Sequence, residues 1–191
     1  MPRPRSDSRE RLIDAASVLL RRQGYQATGM AQIVETSGAP RGSLYFLFPG
    51  GKEELAIAAI RASAAEFAEH IAAAAAAPDV RSFCATLAEH LAADLTASDY
   101  AEGCPVSTVT LDSTPGSPAL TAACGQAYDS WQRAIAGALT SYGVSQRRAA
   151  RLAVVMLAAV EGALLLCRAK RSLRPLEAVH KEIVALVEAS S

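Results

Sequence analysis

The chain has 191 residues, 51% of them hydrophobic and 20% charged, which suits one domain or two small ones and excludes a disordered chain. Its formal net charge is zero but unevenly spread: residues 1–50 carry seven Arg against four Asp and Glu, and residues 51–191 carry twelve Lys and Arg against fifteen Asp and Glu. A basic end on a mildly acidic remainder fits a protein that meets a polyanion at one end only. The cysteines, Cys84, Cys104, Cys124 and Cys167, lie far apart with no C-x-x-C among them. That argues against a metal site and for small core residues, with a thiol sensor as the other reading.

Residues 1–6 place Arg3 and Arg5 between prolines, which reads either as an arm along a DNA minor groove or as a plain tail. The opening segment, MPRPRSDSRERLI, is polar and has no apolar signal-peptide core. Helix 1 is expected to start near Asp7, with Asp7 capping and Glu10 reaching back. Leu12, Ile13, Ala16, Leu19 and Leu20 give it a core-facing stripe, and Gly24 stops it. A short second helix follows, roughly Met30 to Thr36, with Met30, Ile33 and Val34 on one face and Thr28 placed to cap it. Ser37-Gly38 ends that helix, and Pro40 suits the first turn of the next. In the third helix, Arg41 to Phe48, Leu44 and Phe48 form an inward i,i+4 pair, while Arg41, Gly42, Ser43 and Tyr45 can face out. Two short helices about a glycine turn describe a helix-turn-helix, whose second helix enters the DNA major groove.

Pro49-Gly50-Gly51 makes a loop, and Lys52-Glu53-Glu54 opens a fourth helix that runs through Ile57, Ile60, Phe67 and Ile71 to poly-alanine before Pro78. Glutamates suit a helix N-terminus; Lys52 opposes that trend and makes sense if it helps hold a DNA phosphate. Helix 5 is expected over about 79–98, with Phe83, Leu87, Leu91 and Leu95 at i,i+4. A Gly103-to-Thr108 loop then feeds a short helix 6 to about Leu111, and a Thr-Pro-Gly-Ser-Pro break at 114–118 precedes helix 7, about 118–142. Ser145 is placed to cap helix 8, about 146–171, and Pro175 opens a last helix to about Glu188, with Val179, Ile183, Leu186 and Val187 inward. The longest apolar run, Leu152 to Cys167, is interrupted by Glu161 and is expected to fall short of a membrane span. With no strand pattern, repeat or catalytic signature, an all-α protein of about nine helices is expected. It should be cytoplasmic, without catalytic residues, cofactor, metal or membrane.

The stretch GYQATGMAQIVETSGAPRGSLYFLFPGGKEEL, residues 24–55, closely resembles the DNA-binding domain of TetR-family transcriptional repressors. Tyr25 is the aromatic near the end of helix 1 and Thr28 the capping threonine. Ile33-Val34 and Gly38-Ala39 belong to the turn pattern, Gly42-Ser43-Leu44-Tyr45 and Phe48 to the recognition helix, and Lys52-Glu53-Glu54-Leu55 to the start of helix 4. Further along, Gly103-Cys104-Pro105-Val106, the extra glycine of PGGKEEL and Glu161-Gly162-Ala163-Leu164-Leu165-Leu166 resemble the LmrA/YxaF-like branch, which is associated with multidrug-resistance regulation. The resemblance implies a helix-turn-helix DNA-binding domain at residues 1–52. It implies an effector-binding and dimerisation domain at 53–191, paired as a homodimer through its last two long helices.

On that reading the partners are palindromic double-stranded operator DNA and a small, lipophilic effector. The function is that of a dimeric, ligand-responsive repressor; the other reading is a DNA-binding dimer controlled by protein partners. Arg41 can contact guanine or clamp a phosphate. Gly42 has no intrinsic helix benefit, so close approach to DNA explains it. The resemblance places Thr28, Ser43, Tyr45 and Lys52 at backbone-contact positions; Pro40 belongs to the same surface and Gln32 reaches it from helix 2. Where many relatives carry a second polar aromatic and then histidine, this chain has Phe46 and Leu47; Phe46 can still meet a thymine methyl. Effector candidates are Phe83, His90, Tyr128, Trp131 and Glu161. Aromatics at helical spacing are equally core, and His90 with Asp94 is equally a surface pair. A carboxylate as enclosed as Glu161 needs a partner or a raised pKa: an arginine across a dimer, or an effector.

Overall fold

A computed structural model describes residues 5–113 and 116–189. Among them are nine helices and no strand: α1 (Arg5–Ala27), α2 (Met30–Ser37), α3 (Arg41–Leu47), α4 (Gly51–Ala74), α5 (Val80–Ala97), α6 (Pro105–Ser113), α7 (Pro118–Ser141), α8 (Gln146–Lys170) and α9 (Arg174–Glu188). The chain packs as two compact units, one of residues 1–64 and 104–127, the other of 65–103 and 128–191. The division expected between residues 52 and 53 matches neither change of unit, because α6 and the first part of α7 return to the N-terminal helices. Of the expected N-terminal arm, residues 1–4 lie outside the described residues, as do 114–115 of the Thr-Pro-Gly-Ser-Pro break.

In the first unit α1 is the central element, packed against α2, α3 and α6. Its stripe of Leu12, Ile13, Ala16, Leu19 and Leu20 is buried as its spacing predicts. The helix starts at Arg5, ahead of Asp7, which sits in the first turn and pairs with Arg11 at 3.3 Å rather than capping. At Gly24 the backbone leaves the helix with φ 76° and ψ −173°, a region essentially closed to residues with a Cβ. Arg11 donates to the carbonyls of Ser37 and Gly38 at 3.3 and 3.1 Å, satisfying the C-terminus of α2, where Gly38 is left-handed. From α6, the Thr108 hydroxyl donates to the Leu20 carbonyl at 2.7 Å, and Val106 and Val109 are fully buried.

In the second unit α9 packs against α8 and α5. Asp79 caps α5 by accepting from the Ser82 N–H at 2.7 Å, and those hydrogen bonds hold its carboxyl below the ordinary range. Poly-alanine does not carry α4 on to Pro78: the helix ends at Ala74, and the Tyr142 hydroxyl donates to the carbonyls of Ala75 and Ala77 at 3.0 and 2.9 Å. Past α5, Asp99 and Tyr100 both have positive φ, of 52° and 61°, and Arg171 donates to the Asp99 carbonyl at 3.1 Å and pairs with its carboxylate at 2.5 Å. Two further expectations need correction. Ser145 sits at the N-cap of α8 without a side-chain hydrogen bond, and Leu186 of α9 points outward at 37% exposure while Val184 takes the inward place. The 25-residue α8 is long and apolar enough by composition to cross a membrane, against the expectation from its interruption at Glu161, and 39% of its most apolar window is buried within the fold.

Two stability outcomes follow. Gly24→Ala places a Cβ in that closed region and against the Asp112 carboxylate, so urea unfolding should show a loss of about 1–3 kcal/mol. Asp79→Ala should lower the thermal midpoint at pH 7. Because the Asp79 pKa is depressed by folding, its contribution is present above the ordinary carboxylate pKa and fades as pH falls through the folded value, so melting curves of variant and wild type should converge in acid.

Candidate nucleic-acid interface

The surface begins with how α3 is seated. Leu44 and Phe48 are fully buried, which fixes the rotation of this short helix about its axis. Arg41, Gly42, Tyr45 and Phe46 are thereby turned outward, with Tyr45 69% and Phe46 68% exposed. They fall in two i,i+4 lines, Arg41 with Tyr45 and Gly42 with Phe46. Pro40 is exposed at the N-cap of α3, one position before the expected first turn, and Ser43 and Leu47 are half-buried. A Cβ added at Gly42 would meet nothing within 4 Å, so no contact inside the fold requires glycine there.

Thr28 behaves differently from expectation. It is 1% exposed, and its hydroxyl donates to the Gly24 carbonyl at 2.6 Å, while the N-cap of α2 is Gly29 with no side-chain cap. Thr28 therefore closes the bend after α1 and does not present its hydroxyl to a phosphate. Gln32 is exposed on α2, and its amide oxygen accepts from Gln23 at 2.8 Å.

Lys52 lies at the start of α4, half-buried, with its ammonium 4.3 Å from the centre of the Tyr25 ring and donating to the Gln26 carbonyl at 3.3 Å. Burial lowers its pKa, against the opposing pull of Asp112. Burial also raises the Tyr25 pKa, with Glu53 and Asp112 adding to it. Asp112, at the end of α6, accepts from the Gln26 N–H at 2.9 Å and fills the space beside Gly24. Glu54 accepts from the Gly50 N–H at 2.7 Å and Glu53 from the Ser117 hydroxyl at 2.8 Å, so both glutamates hold the frame around the loop. Sequence reasoning missed Arg11 and Asp112. Nothing in their spacing singles them out, since each acts on backbone groups more than twenty residues away in the chain.

The five effector candidates all fall in the second unit, and they separate into groups there. Trp131, 3% exposed, meets Tyr128 and Phe67 edge-on with ring centres at 5.7 and 5.1 Å. Phe83 is fully buried against Tyr142 at 5.9 Å. His90 lies 3.6 Å from Asp94 and 3.8 Å, ring centre to ring centre, from His70. Glu161 is half-buried on α8. None of the five lines the groove of about 480 Å³ between α8 and α9, whose walls include Val155, Ala159, Val179, Ile183 and Leu186. Of the cysteines, Cys84, Cys124 and Cys167 are buried and Cys104 half-buried, and burial raises the Cys84 thiol to about 11.

With that geometry in place, the comparisons are specific. Residues 12–59 match the bacterial regulatory proteins of the tetR family, and residues 80–182 match the C-terminal domain of LmrA/YxaF-like transcriptional regulators. The HTH-type transcriptional regulator LmrA of Bacillus subtilis (strain 168) is 36% identical over 171 residues, 89% of this chain and 91% of that protein. The uncharacterized HTH-type transcriptional regulator YxaF of the same organism is 32% identical over 185 residues, 96% of each. A TetR transcriptional regulator from Legionella pneumophila, known from a crystal structure, has the same fold at a TM-score of 0.83, with 21% identity over 93% of this chain and 95% of that one. A helix-turn-helix with an outward-turned α3, and sequence kinship along nearly the whole chain, lead to one assignment: this chain belongs to the TetR family of bacterial transcriptional regulators, in its LmrA/YxaF-like branch.

Proposed function

We propose that the chain is a dimeric repressor that binds a palindromic operator in the cytoplasm and is released by a small lipophilic effector. The observation that carries this reading is the outward face of α3, where two large rings, an arginine and a glycine are exposed beside a fully buried Leu44. Arg41, Gly42, Tyr45 and Phe46 would face the major groove, with Pro40, Ser43, Gln32 and Lys52 at its margin. Lys52 is half-buried by the Tyr25 ring, which orients its ammonium and leaves it able to meet a phosphate.

Dimerisation is supported by α8. One side of it is buried, while Val154, Val155, Leu165 and Leu166 on the other are 46–49% exposed, continuous with the α8–α9 groove and the outward Leu186. Exposed apolar area of that kind, on a helix with little charge in its centre, is what a second copy would cover. Two copies would then hold two α3 helices for successive major grooves about 34–36 Å apart.

The effector would bind among the helices of the second unit, near the Phe67, Tyr128 and Trp131 rings, with His90 and Glu161 as polar candidates. It must prefer the state that does not fit DNA, or the equilibrium does not move. The link to the headpiece would run through α4, whose residues belong to both units.

Three outcomes test this reading. Tyr45→Ala and Lys52→Ala should weaken binding to all duplex sequences in titrations, and Lys52→Ala should reduce the salt dependence by about one ion per half-site. Charges at Val154 and Leu165 (Val154→Glu with Leu165→Glu) should give a folded monomer by sedimentation and lose operator binding. Operator affinity measured with and without a panel of lipophilic compounds should fall for at least one of them; no response across the panel favours control by protein partners.

A further inference from the structure

The outward face of α3 holds a large side chain that cannot hydrogen-bond. Phe46 is 68% exposed, on a helix whose inward positions are already filled by Leu44 and Phe48. Keeping a phenyl ring in water on a short surface helix forgoes the burial that would stabilise it, and its neighbours Arg41, Tyr45 and Ser43 are all polar. One turn earlier on the same line stands Gly42, which has open space around it and costs helix stability relative to alanine. Neither residue has a reason inside the fold. Together they have one outside it: a helix that lacks a side chain at one position can seat its backbone close to a surface, and the ring one turn on then reaches deeper. In the major groove the apolar feature of a base edge is the thymine 5-methyl group, and phenylalanine is among the side chains that recognise it by contact.

We propose that Phe46 reads a thymine methyl in each operator half-site, with Gly42 setting the depth at which α3 sits. This rests on the reading of α3 as the recognition helix and adds to it a base preference at one position. Arg41 and Tyr45, on the neighbouring line, then serve hydrogen bonding to guanine or phosphate, and Phe46 supplies discrimination through shape and desolvation. The same ring disfavours cytosine at that place, which offers an amino group and no methyl.

The test uses the full chain. Duplexes selected from a random pool define the operator, and each symmetric pair of thymines in it is then replaced by uracil, which removes only the methyl group. Affinity should fall by about fourfold per half-site at one pair, the effect of burying one methyl-sized group. Phe46→Ala should bind the unmodified operator more weakly and lose sensitivity at that pair while keeping the wild-type pattern at every other. Gly42→Ala, which raises helix propensity and leaves the fold intact, should bind more weakly and show reduced discrimination at the same pair. If no thymine responds to uracil, if Phe46→Ala keeps the wild-type pattern, or if it weakens all duplexes equally with no position singled out, the assignment of Phe46 is overturned while operator binding stands. If the wild-type chain enriches no duplex at all, the recognition-helix reading itself fails.

Discussion

The DNA-facing unit depends on a single interruption of helix geometry. At Gly24 the backbone adopts a conformation that only glycine holds at little cost, and three groups close over it. The Thr28 hydroxyl returns to the Gly24 carbonyl, the Asp112 carboxylate takes the Gln26 N–H, and Lys52 takes the Gln26 carbonyl. These come from α6, from the start of α4 and from the bend itself. Each backbone polar group freed by the interruption thus finds a partner, as enclosed backbone must. The direction in which the chain enters α2, and so the placement of α3, follows from this bend together with the Arg11 cap on the far end of α2.

Electrostatics around the bend are arranged so that the one cation near the α4 start is oriented without being neutralised. Asp112 favours the charged form of Lys52, while enclosure beside Tyr25 works against it. The two glutamates that follow are occupied elsewhere, Glu54 with the Gly50 N–H and Glu53 with the Ser117 hydroxyl. They therefore support the loop and the start of α7 instead of competing for the ammonium. A phosphate arriving at this corner would find an ammonium whose orientation is set in advance, which lowers the entropy lost on binding.

Much of this was legible in the residues themselves. Apolar spacing located the helices, and the Leu44–Phe48 pair foretold which side of α3 is hidden. Local pattern failed where distant groups decide. Thr28 looks like a cap from its place before α2, yet its hydroxyl is drawn to a carbonyl four residues back. Helix 4 stops short of Pro78 because alanine gives no side-chain reason to continue, and a tyrosine from α7 takes the carbonyls that follow. Leu186 was assigned inward because α9 alone cannot say which of its apolar positions faces α5 and which faces away. The effector candidates were chosen as aromatic and polar residues on the right helices. Their division into a Trp131 group, a Phe83 group and a His90 group depends on ring contacts across helices that no spacing rule contains.

The return of α6 to α1 bears on how such proteins can be recombined. A headpiece excised after residue 52 would leave behind Thr108, Val106, Val109 and Asp112, and with them the hydrogen bonds at Leu20 and Gln26. Its α1 would expose apolar surface that the intact chain covers. Grafting the operator preference of this protein onto a relative, or the reverse, would thus have to transplant two separate stretches of sequence together, and evolution by simple shuffling of N-terminal segments would meet the same obstacle.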